Sequence, residues 1–140
     1  MVSLTPAVRE FLSTGTRTGK LGYAASDGRP LVVPIWFVVD GDELLFNTGS
    51  ATAKARAIRR DARVVLTVDL EEPPYGFVMV QGTVSITEEL DEVRRIATLT
   101  GGRYMGADRA EEFGARNGVP GELGLRITPT KVIAELDMTA

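Results

Sequence analysis

The sequence contains no cysteine and no histidine. These two absences remove disulfides, zinc sites built on thiolate or imidazole, thiol nucleophiles and every triad with a histidine base. Any catalysis falls to carboxylates, Lys, Arg, Tyr, hydroxyls, backbone amides or a bound cofactor, and only a cofactor supplies hydride, radical or carbanion chemistry by itself. Apolar runs are short. None approaches the roughly 18 residues of a membrane span, and Met1 to Glu10 lack a basic region followed by an apolar stretch, so the expectation is a cytoplasmic protein without a membrane span. Excess positive charge is also missing: the net charge of −3 argues against a nucleic-acid module.

What is present suits one globular domain over residues 1–140, because 44% hydrophobic and 25% charged residues exclude both disorder and a fibrous repeat. Thr5 and Pro6 read as the cap and first position of a short helix that ends near Gly15. Leu21, Tyr23 and Ala25 alternate as in a half-buried strand, which turns at Asp27-Gly28-Arg29-Pro30. Leu31 to Val39 is apolar almost throughout and predicts a central strand buried on both faces. Asp40-Gly41-Asp42 turns it into a strand over residues 43–48. Ser50 or Thr52 caps a helix over 51–60, and residues 62–69 return as strand. After Glu71-Glu72-Pro73-Pro74, a long strand runs from Tyr75 to Thr87, with Gly82 marking a bulge or a bend. Leu90, Val93, Ile96, Ala97 and Leu99 carry a helical period that Gly101-Gly102 ends. Residues 103–121 read as loop or lid, with one helical turn at 110–113, and residues 123–127 and 131–136 as closing strands around a Thr128-Pro129-Thr130 turn. Six or seven short strands with two or three helices predict a mainly β (α+β) antiparallel barrel.

Three segments can carry chemistry. Between Lys54 and Arg63 stand five cations against Asp61 alone, a local +4 that reads as an anion site. It follows Asn47-Thr48-Gly49-Ser50-Ala51-Thr52, a strand end running into a helix N-terminus whose amides favour a phosphate. The same residues also describe a capped helix with solvated cations. Val33-Pro34-Ile35-Trp36 holds the only Trp beside a Pro that cannot join a ladder, which suits either a planar ligand or a core Trp beside a bulge. Tyr75, after the rigid Pro73-Pro74, can stack, donate a proton, cover a subunit boundary or pack at a rim, and the neighbouring Glu71 and Glu72 suit either a general acid and base or solvated loop carboxylates.

Gly28-Arg29-Pro30, Pro34-Ile35-Trp36-Phe37, Leu44-Leu45-Phe46-Asn47-Thr48, the run from Lys54 to Val64, Pro73-Pro74-Tyr75 and Val80-Gln81-Gly82-Thr83-Val84 stand in an order that resembles the split β-barrel flavin and deazaflavin oxidoreductases. That superfamily includes pyridoxamine phosphate oxidase, and the likeness is nearest to its coenzyme F420-dependent branch. The resemblance spans about residues 5–136 and implies a six- to seven-stranded split barrel with short flanking helices, a homodimer with two cofactor sites at the subunit boundary, and a small-molecule substrate. It implies that Lys54, Arg59 and Arg60 hold the cofactor phosphate with Thr48, Gly49, Ser50 and Thr52. It further implies that Val33, Pro34, Ile35 and Trp36 line the ring, and that Tyr75, Gly76 and Phe77 arrive from the other subunit. The expected cofactor is coenzyme F420, with FMN as the alternative; no metal is expected. The expected activity is hydride transfer to a small conjugated acceptor without an essential side-chain nucleophile, Tyr75 being the candidate proton donor. A non-catalytic carrier of flavin, F420 or tetrapyrrole is the contrasting reading.

Overall fold

The computed structural model describes residues 2–140. Thr5 opens α1 (Pro6–Ser13) by accepting the Val8 amide at 3.2 Å, and Pro6 fills the first turn, where a missing N–H breaks no bond. The helix turns Val8, Phe11 and Leu12 inward. β1 (Gly19–Ala24) pairs antiparallel with β2 (Pro30–Ile35), and β3 (Val38–Asp40) with β4 (Glu43–Gly49) across Gly41, whose φ of 63° suits the tight turn. Then follow α2 (Ala53–Arg60), β5 (Arg63–Asp69), β6 (Phe77–Thr87), α3 (Leu90–Met105), a 3-10 turn (Ala107–Arg109), α4 (Ala110–Asn117) and β7 (Glu122–Glu135).

All seven strands form one antiparallel sheet in the order β2-β1-β5-β6-β7-β4-β3. The two edges, β2 and β3, are consecutive in the chain, with only Trp36 and Phe37 between them. Three peptide steps reach about 10 Å, so the edges converge at that corner without hydrogen-bonding, and the sheet curls into a split barrel. Leu21, Phe37, Phe46, Leu66, Val80 and Leu125 are among the side chains that fill its interior. α3 covers the outer face of β4 and β7: a Cβ on Gly124 would come within 2.9 Å of the Ile96 side chain. Arg126 on β7 ties this layer together, meeting Glu43 at 2.9 Å, Asp40 at 3.4 Å and Glu92 at 3.4 Å.

Four expectations need correction. Leu31 to Val39 is two edge strands rather than one central strand, because the chain leaves the sheet at Trp36 and re-enters it on the opposite edge. Gly101-Gly102 does not stop α3. A Cβ at Gly101 would collide with Phe113, and one at Gly102 would sit 3.2 Å from the Ala110 Cβ, so the pair lets α3 and α4 pack closely. The segment expected as loop is therefore mostly the 3-10 turn and α4, which brings the α-helices to four. Finally, Thr128-Pro129-Thr130 lies inside one continuous β7. Gly82 pairs with Pro129 where Gln81 pairs with Lys131, so Thr130 is the extra residue of a bulge that tolerates the missing proline N–H. The expected bulge at Gly82 is thus present, and a Cβ there would lie 2.5 Å from the Thr128 carbonyl oxygen.

Candidate functional site

A cleft of about 430 Å³ opens where the end of β2 meets the start of α2, the α3–α4 pair and the start of β7. Pro34, Ile35 and Trp36 line one side; Lys54, Asn47 and Glu122 line it with Thr18, Thr100 and Asn117. Two of the segments singled out in the sequence, one around Trp36 and one around Lys54, thus face the same space. Val33 does not. Strand alternation sends Val33 against the barrel core while leaving Val32, its neighbour, 69% exposed.

Trp36 is 40% exposed and stacks on Tyr104, ring centroids 5.1 Å apart and planes 5° from parallel, with Phe113 tilted behind at 6.1 Å. The Tyr104 hydroxyl accepts the Phe37 amide at 3.3 Å and donates to the Arg17 carbonyl at 2.8 Å. Arg103 grips the same corner, donating to the carbonyls of Phe37 (2.7 Å), Leu12 (2.7 Å) and Gly15 (3.0 Å). Burial pushes the Tyr104 phenol above its ordinary value, so it stays neutral and able to donate, and the same burial lowers the Arg103 guanidinium. The sequence points to neither residue, because Gly101-Gly102 reads as a helix stop that leaves both in a loop, whereas α3 runs on to Met105.

The approach to α2 is a closed capping turn. Thr52 accepts the Ala55 amide at 3.2 Å and gives its one hydroxyl proton to the Gly49 carbonyl at 2.9 Å. The 3.0 Å contact between the Thr48 and Thr52 hydroxyls is therefore donated by Thr48. Two of the three expected hydroxyl donors, Thr48 and Thr52, are consumed internally; the Ser50 amide is bound to the Gly121 carbonyl at 2.8 Å, and none of the three lines the cleft. What remains is the first two helical amides, at Ala53 and Lys54, which precede any intrahelical bond. Among the described residues no carboxylate lies within 4.0 Å of the Lys54 ammonium.

The remaining cations disperse, because an eight-residue helix points successive side chains about 100° apart. Arg59 reaches Glu88 at 3.7 Å, and Arg63 is bound to Asp61 at 2.7 Å, holding that carboxyl down at about 2. Arg56 and Arg60, four residues apart, line a separate cleft of about 300 Å³ with Ala53, Tyr23 and Leu31. The five cations are thus not one cluster, and only Lys54 reaches the Trp36 cleft.

Asn47 stands in β4, facing the same cleft. Its Nδ2 donates to the carbonyls of Val93 (3.3 Å) and Leu123 (3.2 Å), which fixes the amide and leaves Oδ1 buried and unpartnered. Tyr75, Gly76 and Phe77 do not line this cleft. Tyr75 is exposed at φ 54°, held by its amide's bond to the Glu72 carbonyl at 2.8 Å. Gly76 passes so close to β7 that a Cβ would lie 2.7 Å from the Leu136 carbonyl oxygen, and Phe77 begins β6 opposite Asp69 and Glu135.

Among the described residues no acidic group of three or more is arranged to hold a metal ion, and no helix is long and apolar enough to cross a membrane. No curated protein matches the chain. Among solved structures, a conserved hypothetical protein from Mycobacterium tuberculosis superposes with a TM-score of 0.83 at 23% identity, over 99% of this chain and 87% of that one. An F420 reductase superposes with a TM-score of 0.68 at 25% identity, over 89% and 94%. The heme storage protein of Vibrio cholerae does so with a TM-score of 0.74 at 16% identity, over 99% and 100%. The family model for pyridoxamine 5'-phosphate oxidase matches residues 4–135. With that match across nearly the whole split barrel, the chain belongs to the pyridoxamine 5'-phosphate oxidase family.

Proposed function

We propose that the protein is a coenzyme F420-dependent reductase, acting as a homodimer on a small, flat, conjugated acceptor. The observation that carries this reading is the cleft in which Trp36, stacked on Tyr104, shares one space with Lys54. The side chains present suit such a group. Pro34, Ile35 and Trp36 give an apolar wall for a ring, the unpartnered Asn47 Oδ1 is an acceptor awaiting an N–H, and the Lys54 ammonium suits a phosphate. Next to it, through Ala53, the cleft of Arg56 and Arg60 favours a ligand with a longer anionic tail than FMN carries.

When bound, the reduced deazaflavin supplies hydride to an electron-poor carbon. The chain's own part is orientation: Arg103 and Tyr104 hold the Phe37 peptide from both sides and so fix the angle of Trp36. With neither Cys nor His available, no side-chain nucleophile is called for. The same lack disfavours a tetrapyrrole carrier, which would have neither imidazole nor thiolate as axial ligand.

The exposed apolar face of β2 supports the dimer. Leu31 is 37% exposed and Val32 69%, beside an open apolar depression of about 690 Å³ lined by Tyr23, Leu31, Val65 and Met79. A second copy covering that face is the reading under which Tyr75, Gly76 and Phe77 complete the site.

Titration of F420 and of FMN, followed by dialysis and absorption spectra, tests the cofactor. Lys54→Ala is expected to weaken F420 binding roughly tenfold to a hundredfold, since a charge-assisted hydrogen bond contributes about 1.5 to 3 kcal/mol. Its melting temperature should stay that of the wild type. Unchanged affinity in a folded variant removes the phosphate role, and retention of FMN in preference to F420 reassigns the cofactor.

A further inference from the structure

Glu122 opens β7 directly opposite Gly49 and lines the same cleft as Trp36 and Lys54. A Cβ placed on Gly49 would lie 3.0 Å from Glu122 Oε2 and 3.7 Å from the Thr52 methyl, so the carboxyl stands at the capping turn of α2. Among the described residues nothing donates a hydrogen bond to it and no cation pairs with it within 4.0 Å. Lys54 is the charged side chain that faces it, from α2; Trp36 just after β2, Asn47 of β4, Thr100 of α3, Asn117 of α4 and Thr18 before β1 are neutral. The cleft therefore holds one cation and one unsatisfied acid, rather than the purely basic cradle expected from the sequence.

We propose that Glu122 is a proton-linked binding residue of this cleft: it takes up one proton when an anionic group settles at the N-terminus of α2, and in neutral form donates a hydrogen bond to that group. The inference rests on the cofactor reading above for the identity of the anion. A phosphate beside Lys54 would stand next to the unpaired carboxylate in the same cleft, and two neighbouring anions disfavour each other's charged form. The carboxyl is the one that yields. Burial already pushes it above the usual Glu range, with Lys54 only partly pulling it back. The proton comes from solvent on binding and returns on release, so nothing else is consumed.

F420 fluorescence titrations across mildly acidic to mildly alkaline pH, on wild type and Glu122→Gln, test this. FMN is the weaker probe, because its phosphate monoester itself titrates near about pH 6. Wild-type affinity should fall by up to about tenfold per pH unit above the Glu122 midpoint, the slope of one linked proton. Glu122→Gln should be flat and should bind more tightly than wild type at alkaline pH. Calorimetry in two buffers of different ionisation enthalpy should find about one proton taken up by the wild type and none by the variant. Carbon-detected NMR of the wild-type Glu122 carboxyl gives a readout independent of the variant's folding: its midpoint should move up on adding F420. F420 bound with the same pH dependence in both proteins, or a midpoint that does not rise, overturns the role of Glu122 and leaves the cofactor reading intact. Absence of F420 and FMN binding at every pH in both proteins overturns the cofactor reading and this inference with it.

Discussion

β4 and β2 have nearly the same apolar character in sequence and opposite surroundings in the fold. β4 carries Leu44, Leu45 and Phe46, all fully buried; β2 carries Leu31, Val32 and Val33, of which only Val33 turns toward the core. The cause is position. β4 lies between β3 and β7, with Leu44 and Phe46 inside the barrel and α3 over its outer face, whereas β2 pairs with β1 alone. An apolar run thus reports how much surface is to be covered, without saying whether the cover comes from the same chain. On β4 the run serves the core; on β2 it stays exposed at Leu31 and Val32, the face proposed for a second copy, and leads into the cleft at Pro34 to Trp36.

The largest effect expected from this contrast is at Phe46. Phe46→Ala removes a fully buried ring from the barrel interior, which typically costs about 3 to 5 kcal/mol, a large share of the roughly 5 to 15 kcal/mol that holds a domain folded. Chemical denaturation of the variant should show the midpoint falling with an unchanged slope. A loss under about 1 kcal/mol would mean that β4 is not the core strand its burial indicates.

Much of the fold was legible because its signals are local. Asp40-Gly41-Asp42 gave a turn, Thr5-Pro6 a helix start, and Gly82 a bulge, each through backbone chemistry that needs no knowledge of the rest of the chain. The misreadings share the opposite property. Gly101-Gly102 carries the marks of a helix stop, yet its role is set by Phe113 and Ala110 on another helix. Pro129 reads as a turn unless the bulge across from Gly82 is known. In the site, Trp36 and Lys54 were legible as rare or charged residues next to structural punctuation. Glu122, Asn47 and Tyr104 were not recognised as site residues, because a lone acid, a strand amide and a helical phenol gain meaning only from what folds against them. Arg59 was overcounted for the same reason: charge density along a sequence does not survive projection onto a helix, and its guanidinium turns to Glu88.

A smaller effect is expected where the two regions are joined. Tyr104→Phe keeps the stack on Trp36 but leaves the Phe37 amide and the Arg17 carbonyl without their partner, an expected loss of about 1 to 3 kcal/mol. Since Trp36 is the only Trp, its emission reports on the corner directly. A shifted emission maximum together with weakened F420 binding is the expected outcome. Unchanged emission and stability would show that Arg103 alone, through the Phe37 carbonyl, fixes the corner.

The smallest effect on the fold, and the sharpest test of the contrast, is at Val32. The side chain points away from the core and is 69% exposed, so Val32→Asp removes little intrachain packing; the cost to the protomer should be about 1 kcal/mol or less, mostly the poorer strand propensity of Asp. If a second copy covers β2, the same change buries an unpaired carboxylate at the contact, and association should fail. Light scattering should then give a mass near the 15.1 kDa of one chain for the variant and twice that for the wild type. Circular dichroism should be the same for both, and F420 affinity should drop in the variant if Tyr75 to Phe77 of the second copy complete the cleft. A wild type that already scatters as a single chain would leave the exposure of β2 without a protein partner to account for it, and a variant that remains dimeric would place the contact on another face of the sheet.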